Sequence, residues 1–127
     1  MPKEGQVVLI VEDEVPLRSA IVTKLKAEGF HTLEADNGVE GLRLAKEKHP
    51  QLILLDILMP KMHGLEMLSK LRLDEWGRGV PVIVLTNLNE TTKVAEAAEG
   101  KVIDFMIKSD WKLSDVVDKV KKKLQAG

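Results

Sequence analysis

Glu12 and Asp13, then Asp56, then Thr86 with Asn87, then Lys108 stand at the ends of four short apolar runs. If those runs are neighbouring strands about 4.8 Å apart, one sheet edge gathers three carboxylates, a hydroxyl, an amide and an amine. Each has an ordinary explanation taken singly: Asp13 as a helix cap, Asp56 as a turn residue, Thr86 as a strand hydroxyl, Lys108 as a solvated charge. Together they are harder to dismiss. Crowded carboxylates repel unless a cation neutralises them, and clustered oxygen ligands suit a hard ion such as Mg²⁺. With that ion and an ammonium offsetting phosphoryl oxygens, a carboxylate such as Asp56 can attack phosphorus, because this chemistry is mostly positioning and charge stabilisation.

The elements that must present these groups are legible in the hydrophobic pattern. Residues 6–11, 51–55 and 81–85 are short continuous apolar runs rich in β-branched side chains, which predicts strands buried on both faces. His31 to Ala35 and Val102 to Ile107 are weaker and mixed, as strands nearer a sheet edge are. Between the runs lie helical stripes: Leu17, Ile21 and Leu25; Leu65, Leu68 and Leu71; and Leu113, Val116, Val117, Val120 and Leu124. Asn37 with Glu40 predicts a capped helix through Lys48, Asn89 caps a fourth helix, and Gly29 and Gly100 stand where helices stop. Five repeats of strand then helix call for a parallel sheet with helices on both faces and right-handed crossovers. Ligands of such sheets bind beyond the carboxyl ends of the strands, where the polar residues fall. With the third, fourth and fifth strands adjacent, Lys108 starts about 10 Å from Asp56, a gap its long stem largely closes.

Composition narrows the function classes. The 127 residues are 44% hydrophobic and 31% charged, the balance of one globular domain. Nineteen basic against 20 acidic residues give a net charge of −1, which offers no footprint for direct nucleic-acid binding. The absence of cysteine, of a bilayer-length apolar run and of a secretory leader predicts a cytoplasmic protein without membrane association. Lys119, Lys121, Lys122 and Lys123 read as the solvated side of the last helix. His31, His49 and His63 have no metal-ligand spacing, and Met59, Met62 and Met67 read as packing.

Val-Glu-Asp-Glu at 11–14, Asp-Ile-Leu-Met-Pro-Lys-Met-His-Gly at 56–64, Leu-Thr at 85–86 and Phe-Met-Ile-Lys at 105–108 resemble response-regulator receiver domains, the CheY-like family. The resemblance covers almost the whole chain. It implies a doubly wound (βα)5 α/β fold of flavodoxin-like strand order 2-1-3-4-5, a single receiver domain over residues 1–127, and no output domain. By the same resemblance Asp56 is the phosphoacceptor, Glu12, Asp13, Asp56 and the backbone carbonyl of Leu58 hold Mg²⁺, and Thr86 and Lys108 contact the phosphoryl group. Phe105 is the switch aromatic that follows Thr86 inward. The donor is the phosphohistidine of a sensor histidine kinase or histidine phosphotransfer protein. The readout surface comprises the predicted fourth helix, the fifth strand and the last helix, and it engages a downstream protein or output domain. The chain is then a phosphoprotein of a two-component phosphorelay, not an enzyme beyond self-catalysed phosphotransfer and autodephosphorylation. It is a monomer or a phosphorylation-dependent dimer.

The chain departs from the family pattern in several places. Ser109 stands where proline commonly follows the lysine, Asn87 where alanine or glycine follows the threonine, His63 where Asp or Asn is common, and Lys101-Val102 in place of Gly-Ala. Leu58 and Leu88 take variable positions, and apolar side chains there predict a shielded, long-lived phosphoryl state. A phosphohydrolase of the haloacid-dehalogenase type needs a second aspartate at position 58, which is leucine. A nucleotide- or flavin-binding module needs a phosphate cradle where Glu-Asp-Glu-Val-Pro follows the first strand. The remaining alternative is a receiver-like scaffold that acts by protein contacts without phosphorylation.

Overall fold

Alternate residues of a strand face opposite ways, so a run that is apolar at every position must be covered on both sides. The computed structural model, which describes residues 6–56, 64–86, 103–107 and 112–126, shows this arrangement. The elements in chain order are β1 (Val7–Val11), α1 (Val15–Ala27), β2 (His31–Ala35), α2 (Gly38–Lys48), β3 (Leu52–Asp56), α3 (Gly64–Leu73), β4 (Val82–Thr86), β5 (Ile103–Ile107) and α4 (Leu113–Ala126). All strand pairs are parallel, in the order β2-β1-β3-β4-β5. The α/β class and the strand order implied by the resemblance hold, and the two weaker runs are the edges.

The core divides by strand parity. Leu9, Val11, Ile53, Leu55, Val82 and Val84 pack on one side with Ala45 of α2 and Met67, Leu68 and Leu71 of α3. Val8, Ile10, Leu52, Leu54, Ile83 and Leu85 pack on the other with Ile21, Val22 and Leu25 of α1 and Val116, Val117 and Val120 of α4. Ile21 and Leu25, Leu68 and Leu71, and Val116, Val117 and Val120 of the stripes read from periodicity therefore face the sheet, and Met67 is a packing residue, wholly buried. Fully burying a side chain of this size contributes about 1.5–3 kcal/mol, so the two layers supply most of the driving force.

Local signals behave as their chemistry requires, with corrections. Asn37 is the N-cap of α2, its Oδ1 accepting the Glu40 N–H at 2.9 Å. Gly29 adopts φ 95° and ends α1: its N–H donates to Lys26 O, and the Phe30 N–H donates to Leu25 O. Phe30 and Leu25 are both buried, which completes a Schellman cap. Asp13 does not cap α1; the N-cap is Glu14, without a side-chain cap bond, and Pro16 lies in the first turn. Strands β3 and β4 end one residue later than the apolar runs suggest, so Asp56 and Thr86 are their last residues. The lysine run is not wholly solvated, because Lys121 pairs with Glu28 beyond the end of α1. The predicted fourth helix, with Asn89 and Gly100, lies outside the described residues, as does Val102. Among the described residues no helix is long and apolar enough to cross a membrane.

Candidate functional site

The sheet register sets the site. Val11 of β1 is aligned with Leu55 of β3, so the next residues, Glu12 and Asp56, emerge side by side at the carboxyl end. Glu12 extends the pairing past β1, its N–H donating to Ala35 O at 3.0 Å. On the other side Asp56 is aligned with Leu85, so Thr86 lies one position further along β4, and Thr86 is in turn aligned with Ile107, the residue before Lys108.

The three carboxylates do converge. Glu12, Asp13 and Asp56 each offer an oxygen within 4.8 Å of the others. Glu12 is fully buried and Asp56 is 3% exposed, whereas Asp13 reaches solvent. Buried carboxylates are rare because desolvation of charge is costly, and a cluster of them is stable when something cationic answers it. Clustered hard oxygen donors suit a small divalent ion such as Mg²⁺, which keeps several waters and takes few protein carboxylates directly. The donor set therefore passes the chemical test for a metal site open to solvent on the Asp13 side.

The loop that carries two of these carboxylates is tied on several sides. The Glu12 carboxylate accepts the Glu14 N–H at 3.2 Å, which turns the chain toward α1. One turn into α1, Arg18 donates from Nη1 to the Glu12 carbonyl at 2.8 Å and from Nε to Glu34 Oε1 of β2 at 3.1 Å. No motif in the sequence marks out Arg18. Its only signal was a basic residue directly after Leu17, in a helix whose sheet-facing stripe is apolar.

Of the residues singled out from sequence, the structure brings Glu12, Asp13 and Asp56 together. The backbones of Thr86 and Phe105 lie on the adjoining strands β4 and β5, Phe105 opposite Val84. Lys108, Leu58, Asn87, Leu88, Ser109, His63, Met59 and Met62 lie outside the described residues. His49 has a place that spacing did not suggest: it is the left-handed C-cap of α2 and stacks on Trp76.

Comparison with known proteins agrees with this geometry. A family described as response regulator receiver domain matches residues 8–121. The chain is 32% identical over 120 residues to the DNA-binding response regulator MtrA of Mycobacterium tuberculosis, covering 94% of this chain and 51% of that protein. It thus spans about half the length of such curated relatives. Among solved structures it is similar to the receiver domain of a signal transduction histidine kinase from Syntrophus aciditrophicus, with a TM-score of 0.84 and 31% identity, covering 96% of this chain and 92% of that one. It shares its fold with the receiver domain of sensor histidine kinase PA1611 from Pseudomonas aeruginosa PAO1, at TM-score 0.83 and 24% identity over 95% of this chain and 98% of that one. In that structure a magnesium ion is coordinated in the active-site cleft. The register, the carboxylate cluster and the family match lead to one conclusion: the chain belongs to the response regulator receiver domain family.

Proposed function

We propose that Asp56 accepts a phosphoryl group from a phosphohistidine donor, and that this modification changes which partner the domain binds. The observation that carries the reading is the buried Asp56 carboxylate at the end of the central strand, within 4.8 Å of oxygens from Glu12 and Asp13. In the transfer an Asp56 carboxylate oxygen attacks phosphorus while the donor's P–N bond breaks, its electron pair remaining on the imidazole nitrogen. The product is an acyl phosphate and a neutral histidine. Glu12 and Asp13 would hold Mg²⁺ beside Asp56, with the Leu58 carbonyl completing the protein ligands. The bound ion supplies charge neutralisation for the phosphoryl oxygens.

Thr86, at the end of β4, and Lys108, directly after β5, are assigned to the other phosphoryl oxygens; Phe105 is assigned the switch role. These roles rest on the family's motif and on the alignment of β3, β4 and β5. The domain is then a phosphoacceptor acting in the cytoplasm between a histidine kinase or phosphotransfer protein and a downstream protein or output domain. The presence of a magnesium ion in the PA1611 receiver, a protein of the same fold, supports the choice of metal.

Incubation with Mg²⁺ and acetyl phosphate, followed by intact-mass measurement beside Asp56→Asn, tests this. One added phosphoryl group that requires both Mg²⁺ and Asp56 is the expected result. No gain in a protein that binds Mg²⁺ would favour the scaffold alternative.

A further inference from the structure

The Glu12–Asp13 peptide joins two of the three clustered carboxylates, and one side chain holds its carbonyl. Arg18 holds the Glu12 carbonyl through Nη1 at 2.8 Å and anchors its own guanidinium through Nε on Glu34 at 3.1 Å. The Arg18 side chain is only 16% exposed and its bond to the Glu12 carbonyl is partly buried, whereas Glu34, at 46%, reaches solvent. The remaining groups of Glu12 are already engaged: the N–H with Ala35, the carboxylate with Glu14. Rotation of the 12–13 peptide would break the Arg18 bond and swing the Asp13 carboxylate out of the cluster.

We propose that Arg18 is a positioning residue for the metal site, holding the acidic loop against β2 so that Glu12 and Asp13 converge on Asp56. The inference rests on the metal reading above. A planar guanidinium can grip a carbonyl and a carboxylate together, which a lysine ammonium on a flexible stem does not reproduce. Charge and positioning act here with opposite signs. A cation next to a divalent-ion site repels the ion, so removal of its charge alone tightens binding, whereas loss of the grip weakens it. Outer groups that orient metal ligands typically change affinity by about 10–100-fold when removed.

The experiment is Mg²⁺ titration by calorimetry of the wild-type chain, Arg18→Ala, Arg18→Lys and Glu34→Gln, with circular dichroism to verify folding. Arg18→Ala is expected to weaken Mg²⁺ binding about tenfold, with no rescue by Arg18→Lys. Glu34→Gln is expected to weaken binding in the wild-type background and to lose that effect in the Arg18→Ala background, because its anchor role acts through Arg18. Unchanged or tighter binding in folded Arg18→Ala overturns the proposal. If Arg18→Ala does not fold, wild-type affinity in Arg18→Lys overturns it instead. Failure of the wild-type chain to bind Mg²⁺ overturns the metal reading itself, and this inference with it.

Discussion

His49 and Trp76 lie face to face, their ring centroids 4.3 Å apart and their planes 11° from parallel. The stack joins the end of α2 to the loop after α3, where Trp76 also packs against the α2/α3 side of the core. His49 holds φ 48°, a left-handed backbone that a histidine adopts at a cost. Aromatic pairs of this kind contribute about 0.5–1.5 kcal/mol beyond burial, so His49→Ala should destabilise by about 1 kcal/mol in urea unfolding. His49→Gly loses the same stack but relieves the backbone, so it should be the milder variant. A larger loss for glycine than for alanine would show that the backbone at this cap is not strained.

Arg72 is 6% exposed and donates through Nη1 to the Gly77 carbonyl at 2.7 Å and the Val80 carbonyl at 2.8 Å, pinning the loop that leads into β4. Burial lowers its pKa from the ordinary guanidinium value, yet the group stays charged throughout the working pH range. Arg72→Ala abandons two carbonyls and should cost about 3 kcal/mol, read as a lower urea midpoint. A loss below about 1 kcal/mol would mean that water takes over both carbonyls freely.

Gly41 lets α2 approach β1 and α3. A Cβ there would lie 2.9 Å from Val11 Cγ2 and 3.1 Å from Met67 Sδ. Gly41→Ala should therefore destabilise by about 1 kcal/mol even though alanine favours helix, since overpacking outweighs propensity. At Gly79, where a Cβ meets nothing within 4 Å, alanine should be neutral or stabilising by about 0.5 kcal/mol. Thermal unfolding of the pair gives both signs in one comparison.

Lys121, through its hydrogen bond first and its charge second, lowers the pKa of Glu28 from the ordinary 4.5. A carboxylate whose folded pKa is depressed adds stability above its unfolded value and loses that stability as pH falls through the folded one. The tie between α1 and α4 should thus be intact at neutral pH and fade below pH 4.5. In Lys121→Met the Glu28 titration followed by NMR should move up toward the ordinary value. An unmoved titration would break the link between this pair and acid sensitivity.

With oxygens of three carboxylates inside 4.8 Å, repulsion is on the order of 1 kcal/mol even at the dielectric of water. Asp13→Asn should raise the thermal midpoint of the metal-free protein and abolish the rise that Mg²⁺ produces in the wild type. Equal midpoints without metal would indicate that the cluster is already neutralised by a neighbouring cation.

The features legible in sequence are those that local chemistry decides. Three strands were readable because both faces are buried, which demands an apolar side chain at every position. Asn37 was readable because a cap bonds three residues away. The bounds of β3 and β4 were misjudged by one residue because Asp56 and Thr86 are polar residues in extended backbone, and polarity alone looks like the end of a strand. Arg18 and Arg72 escaped notice because Glu34 and Val80 become neighbours only after the chain folds. Glu12, Asp13 and Asp56 could be grouped as one edge before folding was known, but their convergence depends on the β1–β3 register, which hydrophobicity leaves open.

Asp56 ends a strand whose five residues are all buried and which is hydrogen-bonded on both sides, to β1 and to β4. Amides at such a place exchange with solvent mainly through global opening, whereas sheet margins breathe locally. The Asp56 carboxylate, the phosphoacceptor of the proposed reading, is thus mounted at the end of a fully buried strand, mechanically part of the core. If Asp56 is modified as proposed, β3 offers little scope to deform, so the change would be expressed beyond it, in the neighbouring strands and not in the central one.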